Sequence, residues 1–190
     1  MTVLQLHVKA NVAARGDANN YLRDPGDAVL VERGTPRWLV LSCPCGCGEL
    51  VPVNLDARSG PAWDCYRSER SGLTIFPSVW RDTGCRSHFI IWYGHIVLFD
   101  DVGGGTSFLP AEITDGLKAR VREQLTDDFV HFRDIAKLLN AIPWDVQYVC
   151  KRLVETGYAR EGSEQQMGCY ARRRGGSPLF RWLSGNPARS

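Results

Sequence analysis

Cys43-Pro44-Cys45-Gly46-Cys47-Gly48, answered by Gly84-Cys85-Arg86-Ser87-His88, decides how the first half of this chain is read. Thiols this dense, set among glycines, suit a tetrahedral zinc ion. Residues two apart on an extended strand share a face but sit about 6–7 Å apart, too far for sulfurs on one ion. The Cys43–Gly48 segment must therefore turn, and its glycines allow the tight backbone that a turn demands. The competing reading is a run of free structural thiols, or a strained Cys-Cys bridge, in the same turn. Three clustered cysteines with Cys85 complete a four-sulfur set: Cys43, Cys45, Cys47 and Cys85. A zinc so enclosed is structural, because catalytic zinc keeps an open position. Cys85 and His88 also form a Cys-x-x-His pair, so His88 is either a ligand or a free base, but not easily both. Cys65, Cys150 and Cys169 have no partner at ligand spacing.

Outward from the cysteines the pattern is short strands. Asp27–Glu32 and Trp38–Leu41 flank Gly34-Thr35, a hairpin turn, and the second strand runs into the cysteines. Glu49–Leu55 returns from them, so the cysteines crown a hairpin. Residues 56–72 read as a polar loop around Trp63. Leu73–Trp80, His88–Tyr93 and Ile96–Phe99 follow as strands, with Pro77 marking an edge because it has no N–H to give to a ladder.

The triple glycine in Asp101-Val102-Gly103-Gly104-Gly105-Thr106-Ser107 resists regular structure and reads as a linker, residues 103–110. Beyond it the apolar spacing becomes helical: Ile113, Leu117, Val121 and Leu125; then Phe132, Ile135, Ala136 and Leu139; then Val146, Val149, Cys150 and Leu153. Pro143 opens the third helix and Gly157 closes it. Tyr158–Arg160 and Cys169–Ala171 read as a short hairpin. Three helices and a hairpin give a winged-helix pattern. The expected class is α+β: a small zinc-containing antiparallel β-domain over residues 1–102, then a winged-helix-like domain with a basic tail over 111–190.

Composition narrows the function classes. The 190 residues are 44% hydrophobic and 23% charged, ordinary for a folded soluble chain. No apolar run spans a bilayer, the start alternates like a strand rather than a signal peptide, and an odd count of seven cysteines, several of them clustered, fits a reducing cytoplasm. The formal net charge is +2, split as −1 over residues 1–110 and +3 over 111–190, which is too even for a dedicated nucleic-acid domain. Gln147, Lys151, Arg152, Arg160 and Arg172–Arg174 are the residues that would meet phosphate if nucleic acid were bound. Asp127, Asp128, Asp134, Asp145 and Glu155 dilute that face.

Strand arithmetic brings three reactive side chains together. A two-residue turn at Gly94-His95 would pair His88 with Asp101. A five-residue loop over 81–85 would pair Ser78 with His88. Directly opposed residues point to one face, so Ser78, His88 and Asp101 would form a nucleophile, a base and an orienting acid. The alternative is a polar trio that fills hydrogen bonds at a sheet end.

The cysteine motif with Glu49, then Phe76-Pro77-Ser78-Val79-Trp80, then Gly84-Cys85-Arg86-Ser87-His88-Phe89 with Gly94, resembles bacterial domain-of-unknown-function family 6527. The resemblance covers roughly residues 20–100. It implies a zinc-containing, serine-type peptidase or isopeptidase acting on a bacterial ubiquitin-like protein, encoded beside that protein and its E1- and E2-like enzymes, often in antiphage defence regions. It also implies Cys43, Cys45, Cys47 and Cys85 as metal-site residues, and marks Ser78, Ser87 and His88 as reactive positions. Asp101 and the helical half lie outside it. An extended substrate tail would dock by strand addition near Pro77. The other readings are a zinc-stabilised adaptor or DNA-binding module, and an accessory subunit of the conjugation machinery without chemistry.

Overall fold

The computed structural model describes residues 2–99 and 113–173. Asp101 and the glycine run lie outside the described residues. The chain divides into two compact units, Met1–Glu112 and Ile113–Ser190.

Among the described residues the first unit holds nine strands: β1 (Thr2–Gln5), β2 (His7–Val12), β3 (Asp27–Glu32), β4 (Pro36–Ser42), β5 (Leu50–Asn54), β6 (Asp64–Ser68), β7 (Gly72–Trp80), β8 (His88–Trp92) and β9 (His95–Phe99). They form two sheets, ordered β1-β9-β8-β7-β6 and β2-β3-β4-β5. One apolar core draws on both. Leu30, Leu39, Leu41 and Val53 come from one sheet, and Ile75, Val79, Phe89, Ile91 and Ile96 from the other. Each such side chain, fully buried, stabilises the fold by about 1.5–3 kcal/mol. Strand β3 is apolar on both faces because both are covered. Ala28 and Leu30 enter the shared core, while Val29 and Val31 pack with Val40, Ala18 and Leu22. The Arg15–Asn20 helical turn supplies Ala18 to that second cluster.

Three strand expectations need correction. The unit is not wholly antiparallel: β2 runs parallel to β3, joined by the crossover through Arg15–Asn20. The supposed loop 56–72 contains β6, whose Asp64–Ser68 pairs with Gly72–Phe76. Consequently β7 lies inside the sheet rather than at its edge. Pro77 is nevertheless accommodated, because β6 pairing ends at Phe76, one residue before it. The Phe76-Pro77 peptide is cis.

In the second unit α1 (Asp115–Gln124), β10 (Val130–His131), α2 (Phe132–Leu139), α3 (Pro143–Glu155), β11 (Ala159–Glu161) and β12 (Cys169–Arg172) follow in order. The helices stop where their caps stand. The Thr114 hydroxyl accepts the Leu117 N–H at 3.3 Å, Asn140 closes α2 in the left-handed region at φ 48°, and Pro143 begins α3. Strands β11 and β12 pair antiparallel, and β10, absent from the sequence expectation, adds to β12 to give the order β10-β12-β11. Val121, Leu125, Ile135, Val146, Val149, Leu153 and Tyr170 are buried in this unit. No described helix is long and apolar enough to cross a membrane.

Candidate functional site

Strand β4 delivers the chain directly into Cys43, and β5 carries it away, as the hairpin reading required. The turn is closed by Cys43 N–H to Glu49 O at 2.9 Å and Gly46 N–H to Cys43 O at 3.1 Å. Gly46 and Gly48 hold φ +83° and +80°, a region open to glycine at little cost. Cys85 arrives from the β7–β8 connection. The four sulfurs of Cys43, Cys45, Cys47 and Cys85 lie within 4.8 Å of one another. Cys43 Sγ stands 3.3 Å from Cys45 Sγ and 3.6 Å from Cys85 Sγ. Sulfurs on a tetrahedral zinc, with Zn–S near 2.3 Å, are about 3.8 Å apart. The donor set and its spacing therefore fit such an ion, and the cluster is a candidate metal centre.

Two groups surround the sulfurs. Ser87 is buried, its hydroxyl 3.2 Å from Cys43 Sγ and 3.4 Å from Cys85 Sγ. That hydroxyl is the first cause of a Cys85 pKa pulled down to about 6. The Arg81 guanidinium donates to Cys85 Sγ at 3.3 Å and Cys47 Sγ at 3.8 Å, and pairs with the Glu49 carboxylate. Four thiolates around one divalent ion leave a net −2, which a guanidinium partly offsets. Spacing alone did not single out Arg81 and Glu49. A charged pair flanking the cysteine motif on each side was the available signal. Gly84 is fixed beside them: a Cβ there would meet the Glu49 carboxylate at 2.8 Å.

His88 follows Ser87 but faces elsewhere. Its ring lies 4.8 Å from that of Phe99 and 6.1 Å from that of Trp80. It has no hydrogen-bond partner among the described residues, and burial pushes its pKa down, which favours the neutral imidazole.

The two cross-strand registers differ from expectation by two residues each. Tyr93 and Gly94, with φ 49° and 71°, form the β8–β9 turn, not Gly94-His95. Positive φ at both central positions is the type I′ geometry that suits the twist of a hairpin. His88 therefore opposes Phe99 instead of Asp101. Between β7 and β8 the expected register holds at Ile75–Ile91 but shifts before Val79–Phe89, so His88 opposes Trp80 instead of Ser78. The cause is a bulge around Pro77, which has no N–H for the ladder. Ser78 sits within this irregular stretch, half-exposed, its carbonyl accepting the Trp63 indole N–H at 3.2 Å. A two-residue shift preserves faces. The fold thus brings Ser87 to the cysteines and keeps Ser78 near the end of the strand that faces His88.

No curated protein and no solved structure matches this chain. A family model does match: residues 15–99, which hold the cysteine cluster, Ser78, Ser87 and His88, are similar to the family described as "Bacterial ubiquitination-like system serine protease (BubE)", a likeness that supports a family of a bacterial ubiquitin-like pathway.

Proposed function

We propose that this chain is a serine-type hydrolase that cleaves a peptide or isopeptide link at a bacterial ubiquitin-like protein, with Ser78 as nucleophile, His88 as general base and a structural zinc held by Cys43, Cys45, Cys47 and Cys85. One observation carries the choice of residues: Ser87 and His88 are neighbours turned to opposite sides. Ser87 is 7% exposed and bound to two sulfurs. A hydroxyl so committed cannot easily reach a carbonyl carbon. Val79 points into the core, so its neighbour Trp80 lies on the outer face with His88, and we take Ser78, in the bulge two residues earlier, to share that face. Diagonal neighbours on one face stand about 7–8 Å apart, within reach of an imidazole. Such contacts commonly tighten only when substrate is bound.

In this reading the neutral His88 takes the Ser78 proton as Oγ attacks the substrate carbonyl carbon. It then returns the proton to the departing amine, and water releases the acyl group by the same steps in reverse order of partners. Asp101 remains the proposed orienting acid. Zinc would be bound by the four thiolates with Ser87 and Arg81 around them; when bound it cross-links the β4–β5 hairpin to the β7–β8 connection and takes no part in the bond cleavage. We take the chain to work in the cytoplasm, beside E1- and E2-like partners and in antiphage defence.

Residues 113–173 we read as a winged-helix-like module, supported by the helix order and the β10-β12-β11 sheet. Its cations favour a role in protein contacts over DNA binding. Arg152 pairs with Glu155, Arg172 approaches Asp127 at 3.4 Å, and Arg160 donates to the Asp127 carbonyl at 2.9 Å while lying over Phe129.

The test is incubation of the zinc-loaded protein with the ubiquitin-like protein encoded beside its gene, followed by mass spectrometry. A single cleavage that Ser78→Ala abolishes supports the reading. Cleavage that survives Ser78→Ala but not Ser87→Ala would reassign the nucleophile, and no cleavage at all would favour the adaptor reading.

A further inference from the structure

Among the described residues, no strand pairs with the outer side of β7 where Ser78 lies. Strand β6 covers β7 only as far as the Asp64–Phe76 pair. Beyond it, the Trp63 indole donates to the Ser78 carbonyl at 3.2 Å. The direction of the remaining backbone groups follows from the ladder. Arg81 N–H donates to Ser87 O at 3.0 Å. Hydrogen-bonded and non-hydrogen-bonded pairs alternate along an antiparallel ladder, so the next pair, Trp80–His88, is of the non-hydrogen-bonded kind. The N–H and C=O of Trp80 therefore point away from β8, toward the open side. They have no partner among the described residues. The Trp80 indole beside them is 72% exposed, the largest aromatic surface left to solvent in this unit's described residues.

We propose that the open Ser78–Trp80 side of β7 is a strand-addition site for the extended polypeptide segment of the substrate, and that Trp80 is the residue that positions it. This rests on the hydrolase reading for the identity of the occupant. A polypeptide that adds to this side of β7 carries its carbonyls past Ser78. The Trp80 N–H and C=O then hydrogen-bond one residue of the segment, and the Trp80 indole covers its neighbour. The indole also lies beside the His88 ring, so a segment that packs on Trp80 shields the base from water. Main-chain pairing supplies affinity with little dependence on side chains, whereas the indole contact selects what fits beneath it.

The Ser78→Ala protein, full length and zinc-loaded, separates binding from cleavage. The probe is a fluorescent synthetic peptide with the C-terminal sequence of the ubiquitin-like protein encoded beside the gene, followed by anisotropy. A series of single backbone N-methylations is then made along it. The expected result is binding that N-methylation weakens about tenfold at one position, the residue that pairs with Trp80, and hardly at the others, since only that N–H donates to the strand. Trp80→Ala in the otherwise native enzyme should raise KM about tenfold and lower kcat less. Equal tolerance of N-methylation at every position, or cleavage of the intact protein with no binding of its tail, would overturn strand addition. If that single sensitive position appears but a fluorophosphonate fails to label Ser78, the docking site stands and the hydrolase reading falls. Absence of both binding and cleavage would overturn both.

Discussion

The Ser87 hydroxyl lies 3.2 Å from the sulfur of Cys43, while the next side chain, His88, faces away from the cysteines toward Trp80 and Phe99. The alternation of β8 thus separates two kinds of chemistry. One side gathers sulfur with its hydrogen-bond donors; the other offers an imidazole beside the irregular part of β7.

One zinc per chain is expected, with Cys43→Ser, Cys45→Ser, Cys47→Ser or Cys85→Ser each lowering the zinc content measured by elemental analysis. Because binding of such an ion is coupled to folding, a strong chelator should lower the melting temperature of the first unit and leave the second unit's helical signal in place. Protein purified without chelator that contains no metal would overturn the assignment.

Arg81→Ala removes donors to Cys85 and Cys47 and leaves Glu49 unpaired beside the thiolates. Zinc affinity, read by competition with a chromophoric chelator, should fall about 10–100-fold, the usual effect of losing an outer partner of metal ligands. Arg81→Lys should restore part of it, since one ammonium can replace the charge but not the fork of donors.

Loss of a nucleophile or base should cost orders of magnitude in rate with little change in fold. Ser78→Ala and His88→Ala should therefore abolish cleavage while retaining zinc and normal melting. Ser87→Ala should behave oppositely: weaker zinc binding, and a cleavage rate within about tenfold of native once zinc is saturating.

Asp56 is a pH-sensitive part of the first unit. Its carboxylate accepts hydrogen bonds from Arg58 Nε at 2.8 Å and from Arg37, and the Arg58 bonds, against the opposing effect of desolvation and helped by Arg37, hold its pKa at about 2. The folded pKa lies below the unfolded value of about 3.9, so this stabilisation is present above that value and is lost as pH falls through about 2. Asp56→Asn should melt earlier than the native protein at neutral pH. The gap between the two melting temperatures should close as pH drops from about 4 to about 2. A gap that stays constant over that window would remove Asp56 from the account.

The sequence alone determined what local chemistry can fix. Cysteines with glycines at one-residue spacing specify a turn, and hydrophobic runs on either side specify the hairpin that carries it. The change from two-residue to helical spacing told strands from helices, because each periodicity follows from backbone geometry over a few residues. Pro143 and Gly157 bounded α3 for the same reason.

Registers and neighbours were decided only in three dimensions. Tyr93-Gly94 rather than Gly94-His95 makes the turn because the twist of β8 and β9 favours positive φ at both central positions, a property of the paired strands. The β7 bulge forms because β7 must pair with β6 on one side and β8 on the other, while Pro77 can give neither an N–H. Strand β6 itself, polar and short, becomes a strand only because β7 offers it a ladder. The partnership of Ser87 with Cys43 spans 44 residues of sequence and exists because two separate hairpins meet at one point. Local residues set the shapes of the pieces; long-range pairing set which side chains face one another.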